Sequence, residues 1–192
     1  MIKVEKEQNK LDKSSESELL NNEIQIIKMG ISDLDKIKAF IIDQYKALEC
    51  KDFFIIEDID TELPIIFNNG IVIAIVKNNQ ILGLQAIDFS KNNSDNLKEV
   101  LNSVYDSDSE FYELGWTMIH VEYRKKCYAK RLLKRICSYL DSMTEYVLVA
   151  TVHPMNDAAF KLYFDLGLRP TLQTKYYGYD RIFMVKEIYE EK

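Results

Sequence analysis

The order of elements in the second half of this chain constrains its fold more than any other feature. "FYELGWTMIHV" (111–121) reads as an apolar strand. From Cys127 onward, Ala129, Leu132, Leu133, Ile136, Cys137 and Leu140 recur at three- and four-residue steps, the spacing of an amphipathic helix whose other face carries Lys and Arg. "EYVLVATV" (145–152) is a continuous apolar run suited to a buried strand. "NDAAFKLYFDLG" (156–167) reads as a second helix, with Asn156 at its cap and Gly167 just past its end. Two strands joined through a helix cannot form a hairpin, so the unit demands a parallel pair.

The front half reads differently. "IQIIKMGI" (24–31) predicts a strand and "SDLDKIKAFIIDQYKAL" (32–48) a helix capped by Ser32, with Asp33 and Asp35 in its first turn. "ECKDFFIIEDIDTELP" (49–64) reads as irregular and acidic. "GIVIAIVK" and "QILGLQAIDF", joined through "NNQ", predict a hairpin. "SDNLKEVLNSVY" predicts a short helix and "DSDSE" a loop, while "LRPTLQTKYYGY" and "DRIFMVKEI" close the chain as two more strands. Residues 1–22 are polar and charged and are expected to be a flexible tail, leaving 23–192 as a single α/β (α+β) domain.

Composition excludes several function classes. With 192 residues, 47% hydrophobic, the chain can build one proper core. The longest apolar run, "GIVIAIV", is far short of a bilayer span and the amino terminus lacks a hydrophobic signal core, so no membrane partner and a cytoplasmic location are expected. Three cysteines without C-x-x-C spacing and only two histidines argue against a disulfide framework and against a metal site. Neither the P-loop pattern nor G-x-S-x-G occurs.

One segment runs against the net charge of −6. Between Arg124 and Arg135 stand seven Lys or Arg residues. They follow a predicted strand and open a predicted helix, where backbone N–H groups lack partners and the dipole is positive, which outlines a phosphate site. The acidic remainder would repel a nucleic acid, so a small phosphorylated ligand fits better. A solvated helix face is the bland alternative.

In "IHVEYRKKCYAKRLL", Arg124, Lys125, Lys126, Cys127, Tyr128 and Ala129 resemble the acyl-CoA-binding signature of the GNAT superfamily of N-acyltransferases: Arg or Gln, two residues, Gly, one residue, then Gly or Ala. Asn156, Ala159, Leu162, Tyr163, Leu166 and Gly167 are similar to that family's penultimate helix. The resemblance runs from about Glu23 to the end and implies a mixed central sheet of about six to seven strands with helices on both faces, an antiparallel N-terminal half and a parallel pair in the second. It implies acetyl-CoA as co-substrate, held by Arg124, Lys125, Lys126, Cys127, Tyr128, Ala129, Lys130 and Arg131 at the phosphates. Thr117, Met118, Ile119, His120 and Val121 would lie along the pantetheine arm, with the backbone of Thr117 and Ile119 bonding it, and Asn156 would both cap its helix and touch that arm. The sequence departs from the signature at Cys127, where Gly is usual. A cysteine there costs little if glycine serves close approach, and more if it serves a positive φ.

The resemblance also assigns chemistry. Glu113, six residues before Ile119, stands where the histone-acetyltransferase branch keeps its base. Another branch places a Glu on the next strand, where this chain has Thr151. Tyr163 matches the family's general acid, a phenol able to protonate a departing thiolate. Trp116, Met118 and His120 share the opposite strand parity from Thr117 and Ile119 and are expected to be structural unless a bulge shifts the register. The acceptor is expected to be an amine of a small molecule or peptide. Acid clusters at Glu49, Asp52, Glu57, Asp58, Asp60 and Glu62, and at Asp106, Asp108, Glu110 and Glu113, would suit a cationic one or simply keep loops solvated. The resemblance admits a homodimer through "KYYGYDRIFMV". The alternative function is a non-catalytic acyl-CoA-binding or regulatory module on the same fold.

Overall fold

The computed structural model describes residues 23–56, 58–89, 94–105, 110–141, 143 and 145–189. The expected tail at 1–22 lies outside them, as do Glu57, Asp106 and Asp108 and most of the "DSDSE" loop. Seven strands form one sheet: β1 (Gln25–Lys28), β2 (Gly70–Lys77), β3 (Gln80–Asp88), β4 (Phe111–Ile119), β5 (Tyr146–Val152), β6 (Arg169–Tyr176) and β7 (Tyr179–Ile188), in the order β1-β2-β3-β4-β5-β7-β6. Neighbours are antiparallel except β4 and β5, the predicted parallel pair.

Among the described residues, five helices cover the sheet: α1 (Leu34–Lys46), α2 (Ile59–Asn69), α3 (Ser94–Leu101), α4 (Tyr128–Leu140) and α5 (Asp157–Asp165). On one face, Leu132, Leu133, Ile136 and Leu140 of α4, with Tyr163 of α5, pack on Leu82, Ile87, Leu114, Leu148 and Ala150. On the other, Ile37, Phe40 and Ile41 of α1 and Leu63 and Ile66 of α2 pack on Val72, Leu84, Trp116 and Met118, while Leu97 and Leu101 of α3 meet Phe111, Val149 and Phe183. The turns have the chemistry their residues suggest. Asn78 and Asn79 both take positive φ between β2 and β3, as a two-residue hairpin turn requires, and Gly167 ends α5 at φ +100.

Two sequence expectations are corrected. The segment 49–64 is not irregular throughout: a 3-10 turn at Lys51–Phe53 is followed by α2, whose start is fixed by the Asp58 side chain accepting from Asp60 N–H and Thr61 Oγ1–H. Pro64 lies inside α2, past its first turn, where its ring nitrogen has no hydrogen to give the Asp60 carbonyl, so the helix forms at the cost of one interior bond. Ser32 does not cap α1. It sits inside a 3-10 turn, Ile31–Asp33, and the Asp33 carboxylate instead accepts from the Gly30 N–H at 3.0 Å. None of the described helices is long and apolar enough to cross a membrane.

Candidate active site

The parallel pairing of β4 with β5 is short. It covers Phe111, Tyr112 and Glu113 against Val147, Leu148 and Val149 and then stops. β4 runs on beside β3 to Ile119, and β5 runs on beside β7 to Val152, so the two strands part into a wedge that opens toward their carboxyl ends. α4 and α5 begin just beyond that opening. Parting strands with helix starts at their carboxyl ends are where open sheets of this kind place ligands.

The basic segment lies at the mouth. Arg124, Lys125, Lys126, Lys130 and Arg131 are exposed, and Tyr128 and Ala129 are half-buried in the first turn of α4. No side chain caps that helix, so its first N–H groups are left for an anion. Lys125 and Cys127 both take positive φ, at 61° and 60°. The residue that replaces the usual glycine therefore occupies the left-handed region, the costlier of the two roles considered for it. Lys126 Nζ sits 4.8 Å over the Tyr123 ring, and Arg124 Nε donates to the Ile119 carbonyl at 3.3 Å.

Other residues assigned to the cofactor arm are placed differently. Met118 turns its side chain into the core toward α1 and α2, leaving only its backbone near the wedge. His120 donates its N–H to Leu82 O and caps the following 3-10 turn through Nδ1, a structural role. The Val121 N–H is already taken by Gln44 Oε1 of α1, 2.9 Å away. Asn156 caps α5 as expected, its Oδ1 accepting from Ala159 N–H at 3.1 Å.

A bulge in β4 organises the catalytic candidates. Thr117 pairs with Gln85 and Leu114 with Ile87, so β4 has one extra residue opposite Ala86. Simple alternation would give Glu113 and Thr117 one face. The bulge separates them: Thr117 turns toward α5, and Glu113 toward the side of α1 and α2, with Trp116 and Met118.

On the α5 side, Tyr163 is buried and its hydroxyl lies 2.9 Å from Thr117 Oγ1, which in turn donates to Gln85 Oε1. Burial pushes the phenol up to about 12, the Thr117 bond opposing it and Glu113 adding to it. On the other side, Glu113 pairs across the ladder with Asp88, and Glu62 of α2 approaches. Its carboxyl is enclosed even though the residue keeps some access to solvent. Desolvation, then Asp88, then Glu62 push it up to about 7, the range of a working general base. Tyr176, buried at the end of β6, is raised by burial and by the nearby Glu113. Glu113 and Tyr163 thus lie within electrostatic reach of one another where the wedge begins.

Several of the acidic residues noted in the sequence do local work. Asp58 caps α2, Asp60 pairs with Lys38, and Glu110 accepts from the Tyr112 hydroxyl at 3.0 Å. Of the noted residues that are described, Glu62 is the one whose charge acts on Glu113. Sequence reading missed Asp88, Tyr176, Gln85 and the side chain of Thr117. A polar Gln inside "QILGLQAID", an otherwise doubly apolar strand, was the available signal for Gln85. Among the described residues no group of three or more His, Cys, Asp or Glu is placed to hold a metal ion.

No family model and no curated protein sequence matches the chain. Solved structures do. NAA60 of Arabidopsis thaliana, in complex with acetyl-CoA, superposes with a TM-score of 0.64 at 16% identity, over 86% of this chain and 99% of that one. The ribosomal-protein-S18-alanine N-acetyltransferase of Escherichia coli gives 0.64 at 14%, over 88% and 97%. A GNAT-family acetyltransferase of Streptococcus pneumoniae gives 0.63 at 20%, over 86% and 99%. The strand order, the single parallel pair and the wedge between its members are accordingly those of a known architecture: this chain has the GNAT acetyltransferase fold.

Proposed function

We propose that this protein is an acetyl-CoA-dependent N-acetyltransferase that transfers the acetyl group directly to a primary amine in a ternary complex. The observation that carries the reading is the placing of Glu113 and Tyr163 on opposite faces of β4 where β4 and β5 part, near enough for the Glu113 charge to act on the phenol. The similar NAA60 structure holds acetyl-CoA, which supports the choice of donor.

The uncapped start of α4 and the exposed Arg124, Lys125, Lys126, Lys130 and Arg131 hold the phosphates of the donor. The pantetheine arm runs into the wedge along the backbone of Thr117 and Ile119, and Asn156 offers its amide nitrogen, since its oxygen is spent on the helix. An alkylammonium near pKa 10 must lose a proton before it can attack. Glu113, with its carboxyl near 7, takes that proton directly or through water. Tyr163, across the wedge, protonates the departing thiolate. Thioester carbonyl charge is met by a backbone N–H of β4 near Met118 or Ile119.

The acceptor enters on the side of α2 and the β6–β7 hairpin, where Glu113, Glu62, Asp88 and Tyr176 gather. Three carboxyls in one place favour a cationic amine, of a small molecule or of a peptide. Cytoplasmic action, and pairing of two copies over the hairpin where Tyr177 and Tyr179 are exposed, belong to the same reading.

Calorimetric titration of the full chain with acetyl-CoA and with CoA, beside the Lys126→Glu, Lys130→Glu double variant, tests the donor. Saturable binding that the variant weakens about tenfold or more is expected. A subsequent amine screen separates enzyme from binding module: tight acetyl-CoA binding with no turnover of any neutral, cationic or peptide amine would favour the non-catalytic alternative.

A further inference from the structure

Gln85 lies in the middle of β3 with none of its surface exposed. Its amide nitrogen contacts two backbone oxygens, Ala86 O at 2.7 Å and Gly115 O at 3.3 Å. Carbonyls only accept, so the nitrogen must face them and Oε1 must face Thr117. Oε1 carries no hydrogen, and the Thr117 hydroxyl therefore donates to it. That spends the Thr117 hydrogen. The 2.9 Å contact between Thr117 Oγ1 and the Tyr163 hydroxyl is then made by the phenolic hydrogen. Two carbonyls thus fix the direction of a chain that ends on Tyr163. Gly115 belongs to the bulge in β4, so the same amide also ties down the irregularity that aims Thr117 at α5.

We infer that Gln85 is a positioning residue for acyl transfer: through Thr117 it sets where the Tyr163 phenol points while protonated, and it holds ready the hydroxyl that receives the phenolate afterwards. The inference rests on the proposed role of Tyr163 as the acid. In the step itself the Tyr163 O–H bond breaks, an S–H bond forms on the departing thiolate, and the phenolate oxygen keeps the electron pair. The Thr117 hydroxyl turns from Gln85 Oε1 to that oxygen, and no bond of Thr117 breaks. Of the two protons the acceptor ammonium loses, one replaces that of Tyr163 by way of Glu113 and solvent, and the other is released. In keeping with this, the Thr117 bond works against burial and Glu113 in setting the acidity of the phenol.

The test is a set of kcat measurements on the full chain at saturating acetyl-CoA, with the best amine from the screen. Thr117→Val and Gln85→Met should each lower kcat about tenfold, leave the Kd for acetyl-CoA within about twofold, and cost nothing further in a Tyr163→Phe background. Thr117→Ser should return to within about threefold of the parent rate. Losses that multiply with Tyr163→Phe, or a Thr117→Ser enzyme as slow as Thr117→Val, overturn the inference, because a fault of folding or packing would behave that way. If Gln85→Met does not fold, the Thr117 pair decides alone. A parent chain without turnover, or a Tyr163→Phe enzyme at the parent rate, instead removes the underlying reading of the acid and the inference with it. The parent and Tyr163→Phe rates therefore tell the two failures apart.

Discussion

Glu113 owes its raised pKa to the pairing of β3 with β4, which sets Asp88 opposite it while α2 brings Glu62 to the same place. Because its native pKa lies above the unfolded value, the native state holds the extra proton. Stability is complete below about pH 4.5 and is lost as pH rises through about 7. Glu113→Gln should therefore stabilise the protein by on the order of 1–2 kcal/mol at pH 8 and hardly at all at pH 4, as urea titrations at the two pH values would show. It should also lower kcat about a hundredfold or more and remove an acid limb near pH 7 from kcat/KM. An unchanged limb would move the base elsewhere. Cys127, at φ 60 and ψ 15, poses the opposite case, a residue held against its preference. The left-handed region costs an L-residue roughly 1–2 kcal/mol, and a glycine escapes that cost but loses more chain entropy on folding. Cys127→Gly should gain up to about 1 kcal/mol and Cys127→Val should lose at least about 1 kcal/mol in denaturant titration. A destabilised glycine variant would show that the loop is held by something other than local backbone preference.

Helices and strands were legible where local chemistry agreed with tertiary context. Asn156 and Gly167 bracket α5 as their types suggest, Asn78 and Asn79 turn the hairpin, and the apolar steps of α4 are its buried face. Asn156→Ala should accordingly cost about 1 kcal/mol of stability at constant denaturant slope, and weaken acetyl-CoA binding a few-fold if the amide also meets the pantetheine. Legibility failed elsewhere. The acidic stretch 49–64 reads as irregular although α2 begins within it, and α2 brings Glu62 to Glu113, so missing the helix meant missing part of the surroundings of Glu113. The β4 bulge was the other failure. One extra residue near Gly115 sends Glu113 and Thr117 to opposite faces, and no periodicity in "FYELGWTMI" announces it. Gln85 was hidden because its partners, Thr117 and the carbonyl of Gly115, are thirty or more residues away.

At the scale of the whole molecule, a net charge of −6 is combined with one exposed basic segment at the mouth of the wedge. Attraction of a phosphorylated ligand should be local and sensitive to screening, so the Kd for acetyl-CoA should weaken as salt is raised. Ligand at a hundred times its Kd should add about 2.7 kcal/mol to the stability of the native state, visible as a rise in Tm of roughly 5–10 °C for a chain of this size. The Lys126→Glu, Lys130→Glu variant should lose most of that rise at the same ligand concentration. The early end of the β4–β5 ladder has one more consequence. From Leu114 to Ile119, amides directed at β3 are shielded by a neighbouring strand at all times, while those directed at the gap rely on whatever lies there. Deuterium uptake at alternate residues of a single strand thus becomes a gauge of occupancy: half of β4 keeps its protons regardless, and the other half keeps them only while a guest completes the sheet.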